Sequence, residues 1–392
     1  MLTILDNAEI FSPAALGQRC LVMGGGKILA ILKAGADLSL LATPVEGFEI
    51  QRFDFSGKRL VPGFIDGHTH ITGGGGEDGA ATKVPAPLLT DFTTAGVTTA
   101  IGLLGTDDVT RSTAELLAGA RALRELGLSA WCWTGGYHLP PTTLTGTVRS
   151  DIVNIDAIIG AGEIAVSDHR SSQPTLEELL RIASECHVAG LLTKKAGVLH
   201  LHLGDGSRGL ELIRAALDTA ELPARVFQPT HVNRRKALFE EALALAARGC
   251  HIDITSFPVG PEEDAYPAAV ALKLYFDAGL PAAQVSISSD GGGCLPVFDE
   301  FGSMTSMDIG KSSSLPATLQ EALVLGVPFD FALAALTSNV ADHLRLYGKG
   351  HIRVGADADL VALDSAGAVT DVIAHGHWML RDRQPLQRGM FE

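Results

Sequence analysis

The sequence predicts an α/β fold: a (β/α)8, TIM-like barrel with a small β-sandwich domain built from both chain ends. Three observations predict it. Between about residues 58 and 345, apolar β-rich runs alternate with helical stretches, and eight such runs can be counted. That alternation marks βα units around a parallel sheet, and eight units fit a barrel of about 250 residues. Both chain ends lack the alternation, and the length of 392 residues leaves room for an accessory domain beside the barrel.

Residues 1–57 read as short strands and turns. Apolar runs at 21–23 and 28–32 flank Gly24-Gly25-Gly26, and no helical period of ten or more residues occurs there. In the middle, the candidate strands are 63–68, 98–104, 129–134, 164–168, 198–203, 227–231, 251–255 and 284–288. Helical patterns fall between them at 112–126, 175–189, 209–220, 235–248 and 262–278. From Gly350 the chain returns to strands, at 358–363 and 369–374. The domain reading is therefore 1–57 plus 346–392 for the β-sandwich and 58–345 for the barrel.

Composition excludes several classes. Hydrophobic residues make up 46% of the chain, enough for a large core, yet no apolar run nears the ~20 residues of a membrane span. The segment Met1-Leu2-Thr3-Ile4-Leu5-Asp6 lacks the basic start and long apolar stretch of a signal peptide. Five scattered cysteines without a CxxC pair argue against a disulfide framework and for a reducing, cytoplasmic setting. A net charge of −15 would repel nucleic acid and anionic membrane, so neither is expected as a partner. An anionic substrate would then need local arginines.

The segment Pro62-Gly63-Phe64-Ile65-Asp66-Gly67-His68-Thr69-His70 carries the most chemistry. On a strand, residues i and i+2 share a side, so His68 and His70 project together. In a barrel, function sits where strands end, and other predicted strand ends are polar in the same way. Glu163 precedes the fourth strand and Asp168-His169-Arg170 closes it; the fifth carries His200 and His202; the sixth ends in Thr230-His231; the eighth ends in Ser289-Asp290. One histidine at a strand end is usually structural. The combination of His68, His70, His202, His231 and Asp290, spread over four strand ends, is not expected by chance. Imidazole and carboxylate together suit zinc and similar ions, and the set exceeds one tetrahedral ion. It suits two divalent ions, zinc first among them, sharing a bridging carboxylate. A hydroxide between such ions is a strong nucleophile near neutral pH, and a neighbouring aspartate could carry a proton to a leaving amine. His200 faces the same side as His202 one layer deeper and reads as a core or supporting histidine.

This pattern closely resembles the amidohydrolase superfamily, with HxH on the first strand, a bridging carboxylate on the fourth, histidines on the fifth and sixth and an aspartate on the eighth. The segment from Gly350 to Val361 resembles that superfamily's return into its β domain. The likeness narrows to the isoaspartyl (β-aspartyl) dipeptidase family. It is carried by PGFIDGHTHITGGGGE at 62–77, GLLGTD at 102–107, TGGYH at 134–138, SDHR at 167–170, PTHVNR at 229–234, IDITS at 252–256 and SSDGGG at 288–293. The resemblance implies metal-dependent hydrolysis of the β-aspartyl peptide bond of small dipeptides by a metal-bridging hydroxide, in a homo-oligomer, octameric in the family. It places His68, His70 and Asp290 on one ion and His202 and His231 on the other, with Asp290 also moving the proton. Tyr137 corresponds to a residue polarising the scissile carbonyl, Glu77 to the partner of the substrate's α-amino group, and Arg170 and Arg234 to holders of its carboxylates. Gly75 and Thr106 sit where the family makes further substrate contacts. The rival readings are another C–N hydrolase of this superfamily, such as a cyclic amidase or N-acyl amino acid deacylase, and an inactive scaffold.

Two positions depart from the family. Its fourth-strand lysine, carbamylated to form the bridge, is matched by Glu163, while Lys194 and Lys195 look solvated. Glutamate offers the same two oxygens on a shorter arm, so the backbone must come closer to the ions. An apparent one-residue insertion, with glycines either side of Ala161, could supply that shift. The open alternative is a single-metal or impaired site. The second departure is Cys294, where the family has a serine touching a substrate carboxylate. A thiol is the weaker donor, which implies altered substrate preference.

Overall fold

The computed structural model describes residues 2–36, 49–298 and 304–392. The part of the predicted end domain at 37–48, and Met1, lie outside the described residues. Eight parallel strands form, overlapping the eight expected: β1 (Phe64–Thr69), β2 (Val97–Gly102), β3 (Ser129–Thr134), β4 (Ile158–Val166), β5 (Val198–Leu203), β6 (Phe227–Thr230), β7 (Ile252–Thr255) and β8 (Val285–Ser288). The fourth begins at Ile158 rather than 164, so Glu163 lies within the strand and not before it. Strands β1 to β6 make one curled parallel sheet in chain order, and β7 pairs with β8 in a second. The second sheet meets the first on both sides. The Val232 amide donates to the Asp253 carbonyl (3.5 Å), the Asp290 amide to the His68 carbonyl (3.1 Å), and the His70 amide to the Gly291 carbonyl (2.8 Å).

All eight strands are buried along their length apart from the half-buried Trp131, as expected of a sheet covered on both faces. Strand β5 shows how the period of two sorts the residues. Leu199, Leu201 and Leu203 pack outward among the helices, while Val198 packs inward with Ile65, Ile101 and Trp133 over Val340 and Ala341 of the helix Ser338–His343. His200 and His202 share the inward side with Val198. Apolar residues thus line one end of the inward side, and polar ones the other.

The helices match their sequence signals. Thr175 accepts from the Glu178 amide (3.3 Å) and Glu178 reaches back to the Thr175 amide (2.9 Å), closing a capping box at the start of the helix Leu176–Thr193. One start differs. A helix is expected from 262, but Ala268–Asp277 begins only after Pro267, because proline disfavours helical geometry in the residue before it. Residues 263–265 instead reach the mouth of the cleft described below. Lys195, expected in solvent, is half-buried and its Nζ donates to the carbonyls of Ile152, Ile155 and Ile158 (2.6, 2.6 and 3.1 Å). The sequence pattern also missed the antiparallel hairpin of Cys294–Phe298 and Met304–Ile309 that follows β8.

Strands from both chain ends share one nine-stranded mixed sheet. Arg59–Pro62 is the joint, pairing in parallel with Leu2–Phe11 and antiparallel with Leu360–Leu363. Where a sandwich is expected, the hydrogen bonds run through this single sheet, which carries its own core of Leu5, Ile10, Leu21, Met23, Leu360 and Ile373. Lys349 fixes the returning segment by ion pairs to Asp357 (2.9 Å) and Asp359 (2.5 Å).

Candidate active site

The inward side chains at the polar strand ends meet. Glu163 Oε2 lies 3.6 Å from His68 Nε2, 3.1 Å from His202 Nδ1 and 3.4 Å from His231 Nε2, while its Oε1 lies 3.7 Å from His70 Nε2. Asp290 Oδ1 lies 3.3 Å from His68 Nε2 and 3.1 Å from His70 Nε2. All six residues are buried, and three overlapping groups of three have ligand atoms close enough to share an ion: His68-His70-Glu163, His68-His231-Asp290 and Glu163-His202-His231. His68 Nε2 and Asp290 Oδ1 are buried without a hydrogen-bond partner. Unsatisfied polar atoms are costly in a protein interior, and a divalent cation would satisfy both. The donor set fits such an ion.

The electrostatics agree. Burial pushes the Glu163 carboxyl up, but the facing His68 and His202 outweigh it and hold it well below the usual carboxylate range. Asp290 follows the same rule: burial raises it, and His68 and His70 bring it below its ordinary value. Both are ready-made anions. His231 and Asp290 adopt positive φ (61° and 53°), uncommon outside glycine and often found where a side chain must be aimed at a site.

A layer of partners holds this set. His200 Nε2 lies 2.8 Å from His68 Nδ1, and its ring stacks on Trp133 at 5.1 Å. This is the supporting place the sequence suggested. His231 Nδ1 is 2.7 Å from Thr255 Oγ1. The buried Asp253 accepts from the hydroxyls of Thr230 (2.7 Å), Ser286 (2.5 Å) and Ser288 (2.5 Å), tying β6, β7 and β8 together below the ligands. Residue type alone marks neither Asp253 nor Thr255; both lie in the IDITS segment, where alternation makes them inward-facing.

Glu163 reaches the centre through an irregularity in β4. Leu199 pairs with Ala161, but Leu201 pairs with Ile164, so three β4 residues span what two span on β5. The extra residue makes a bulge at Gly162-Glu163, and bulges re-aim side chains. The strands crowd here: a Cβ on Gly162 would meet His200 Cβ at 2.7 Å and the His200 carbonyl oxygen at 2.8 Å.

Above these side chains opens a cleft of about 670 Å³, lined by Gly75, Glu77, Thr106, Tyr137, Arg170, Arg234 and Cys294 along with five of the six candidate ligand residues. Every predicted substrate residue lies in it, whereas the exposed His169 is not among the lining residues. Glu77 accepts from Thr106 Oγ1 (3.0 Å) and from Cys294 Sγ (3.1 Å to each oxygen), and Arg170 NH1 lies 3.5 Å away. Arg170 also forks onto Asp168 through Nε (3.0 Å) and NH2 (2.8 Å). Arg234 donates to the Leu203 carbonyl (2.6 Å) and pairs with Asp205 (3.2 Å). Tyr137 Oη lies 2.8 Å from His202 Nδ1, and burial first, then Glu163, holds its proton well above the ordinary tyrosine value.

The sequence model of the amidohydrolase family matches residues 59–379, spanning all eight parallel strands. The chain belongs to the amidohydrolase family. Among solved structures, it is similar to the β-aspartyl dipeptidase of Fervidobacterium islandicum AW-1. In complex with a β-Asp-Leu dipeptide, that structure is 39% identical over 100% of this chain and 99% of its own, with a TM-score of 0.93. A second structure of that enzyme is 37% identical with full coverage of both chains and a TM-score of 0.89. Dihydropyrimidinase from Brevibacillus agri NCHU1002 shares the fold at 15% identity, covering 99% and 96% of the two chains with a TM-score of 0.66.

For an amidohydrolase the arrangement has a clear division. Below, two carboxylates and four imidazoles make a buried cation site. Above, Glu77, Arg170 and Arg234 stand nearest the cation site in a charged space open to a small polar molecule, with Asp107, Arg111, Asp205, Glu263, Asp264 and Asp308 also lining it. Asp290 borders both, so it can ligate an ion and still accept a proton in the cleft.

Proposed function

We propose that this amidohydrolase hydrolyses the β-aspartyl peptide bond of dipeptides, using two divalent metal ions, zinc first among them. The observation that carries the reading is the charge layout of the cleft. Glu77, Arg170 and Arg234 complement the one ammonium and two carboxylates of a β-aspartyl dipeptide, and arginine can grip a carboxylate through two parallel hydrogen bonds. The 39% identity over the whole chain to a β-aspartyl dipeptidase seen with β-Asp-Leu supports the same substrate class.

In this reading His68, His70 and Asp290 would hold one ion and His202 and His231 the other, with Glu163, which faces all four histidines, available to both. When bound, the ions lower the pKa of water toward 7 and polarise the scissile carbonyl. The residues do the rest. Glu77, steadied by Thr106 and Cys294, takes the α-ammonium. Arg170 and Arg234 take the carboxylates, and the backbone at Gly75 borders the substrate. The Tyr137 hydroxyl, kept protonated, donates to the carbonyl oxygen as charge develops there. Asp290 accepts the proton of the attacking water and passes it to the leaving amine. At the level of the fold, we propose that the two parallel sheets close into a (β/α)8 barrel over 58–345. Residues 1–57 and 346–392 then form one accessory β domain, supported by the sheet that both ends share.

The test is turnover by the metal-loaded protein on a panel of β-aspartyl dipeptides, N-acyl amino acids and cyclic amides, with ions counted in the same preparation. Preference for the β-aspartyl dipeptides at two ions per chain is expected. Preference for either other class would replace this reading.

A further inference from the structure

Asp168 has no place in the reaction as described, yet it is built into the site. It is buried at the end of β4, and its Oδ2 lies 3.0 Å from His202 Nε2. The loop around it is made to hold it there. Its Oδ1 accepts from the Arg170 amide (2.7 Å), its carbonyl accepts from Gln173 Nε2 (2.8 Å), and a Cβ on Gly204 would meet Asp168 Cβ at 2.3 Å. Gly204, next to β5, therefore leaves the space that Asp168 fills.

The surroundings of His202 make this contact decisive. Its Nδ1 faces the centre, 3.1 Å from Glu163 Oε2, and its Nε2 faces away. Arg170 NH2 (3.4 Å) and Arg234 NH1 (3.3 Å) also stand near Nε2. A guanidinium can only donate. Without another influence, these groups would favour a lone pair on Nε2 and the proton on Nδ1, aimed at Glu163. That tautomer cannot ligate through Nδ1. Tyr137 Oη lies 2.8 Å from Nδ1 and 3.1 Å from Nε2 and can serve either nitrogen. Asp168 is the charged acceptor at Nε2, and it reverses the preference, keeping the proton on Nε2 and the Nδ1 lone pair toward the centre. The same carboxylate occupies the Arg170 fork, so it also limits how that guanidinium can approach His202.

We infer that Asp168 is a positioning residue: its contact with His202 Nε2 fixes the tautomer that lets His202 hold a cation, and its pair with Arg170 couples this ligand to the substrate-binding rim. The inference rests on the two-ion reading above. Partners of metal-binding histidines commonly change metal affinity by about 10- to 100-fold when removed.

The test uses the full chain with Asp168→Asn, Asp168→Ala and Asp168→Glu. Zinc is counted after dialysis, its affinity is measured by chelator competition, and kcat and KM are measured at saturating zinc. Wild type should retain two ions. D168N, nearly isosteric but able to donate to Nε2, should retain about one and bind the second about 10- to 100-fold more weakly. D168E, which keeps an acceptor, should retain most of the affinity. At saturating zinc D168N should regain much of its kcat while KM stays raised, because asparagine offers the Arg170 fork one acceptor oxygen where Asp168 offers two. Should D168A not fold, the contrast between D168N and D168E carries the test. Two ions bound equally tightly by wild type and D168N would overturn this inference alone. A wild type that binds fewer than two ions would overturn the two-ion reading and this inference with it.

Discussion

Glu163 is surrounded by four imidazoles within 3.1–3.7 Å, so neutralising it removes the negative charge that they share. Glu163→Gln should lower the ion content from two per chain to one or none, measured by metal analysis of the dialysed protein; an unchanged pair would contradict its bridging role. Asp290 has two tasks, and Asp290→Asn removes the proton acceptor. Proton transfer by a placed group contributes about 10²–10⁴ in rate, and kcat for a β-aspartyl dipeptide should fall at least that far while the far-ultraviolet dichroism stays unchanged. A variant keeping a tenth of the wild-type kcat would rule that role out. Cys294 shows what a residue type alone leaves open. The sequence marks it as a weaker donor toward substrate. The structure instead turns its Sγ to both oxygens of Glu77, with burial and Glu77 raising the thiol pKa, so it stays a protonated donor that steadies Glu77.

At the scale of elements, the β4 bulge matters most. An extra residue in one strand of a parallel pair reverses which side chain points inward, and here the one aimed inward is the bridging candidate. Gly162→Ala tests how tightly the bulge is held. Its Cβ would press on His200 backbone and Cβ atoms, which cannot swing aside, and His200 in turn contacts His68. Overpacking of this kind costs about 1–3 kcal/mol. The variant should unfold at lower denaturant and bind zinc more weakly; wild-type values for both would show that β4 has slack. The insertion and its glycines were readable in the sequence, as were the eight strands and the capping box at Thr175. The hairpin after β8 was not, because Pro296 interrupts the apolar run of its first strand, and a proline within a run argues against a strand.

For the molecule as a whole, part of the loss of stability in acid follows from a buried histidine pair. His251, just before β7, stacks on His343 of the helix Ser338–His343, with centroids 4.0 Å apart. Burial pulls His251 down to about 3, and burial followed by His251 pulls His343 well below the usual histidine value. Arg225 and Arg345 act on His343 in the same direction. The folded pair stays neutral, whereas in the unfolded chain both histidines protonate near pH 6.5. Stability is therefore complete above about pH 6.5 and is lost as pH falls from there toward the folded values, by up to about 1.4 kcal/mol per pH unit for each histidine. His343→Phe keeps a ring in the stack and removes one titrating group. Urea unfolding between about pH 6 and pH 4 should show a shallower loss in the variant by roughly that amount per unit; parallel curves would exclude the pair as the cause.

By itself the sequence determined the number and order of the parallel strands, the polar ends of those strands and the residue types that gather there. These follow from patterns of two and 3.6 residues, which are local to the chain. Only the tertiary structure decided which atoms meet. That Glu163 faces all four histidines, that Asp168 takes His202 Nε2, and that Asp253 ties three strands together all depend on register and on a bulge, between residues from 23 to 95 positions apart in sequence. No local pattern specifies such distances, because they are set by how the strands curl toward a common centre and by the space their side chains leave.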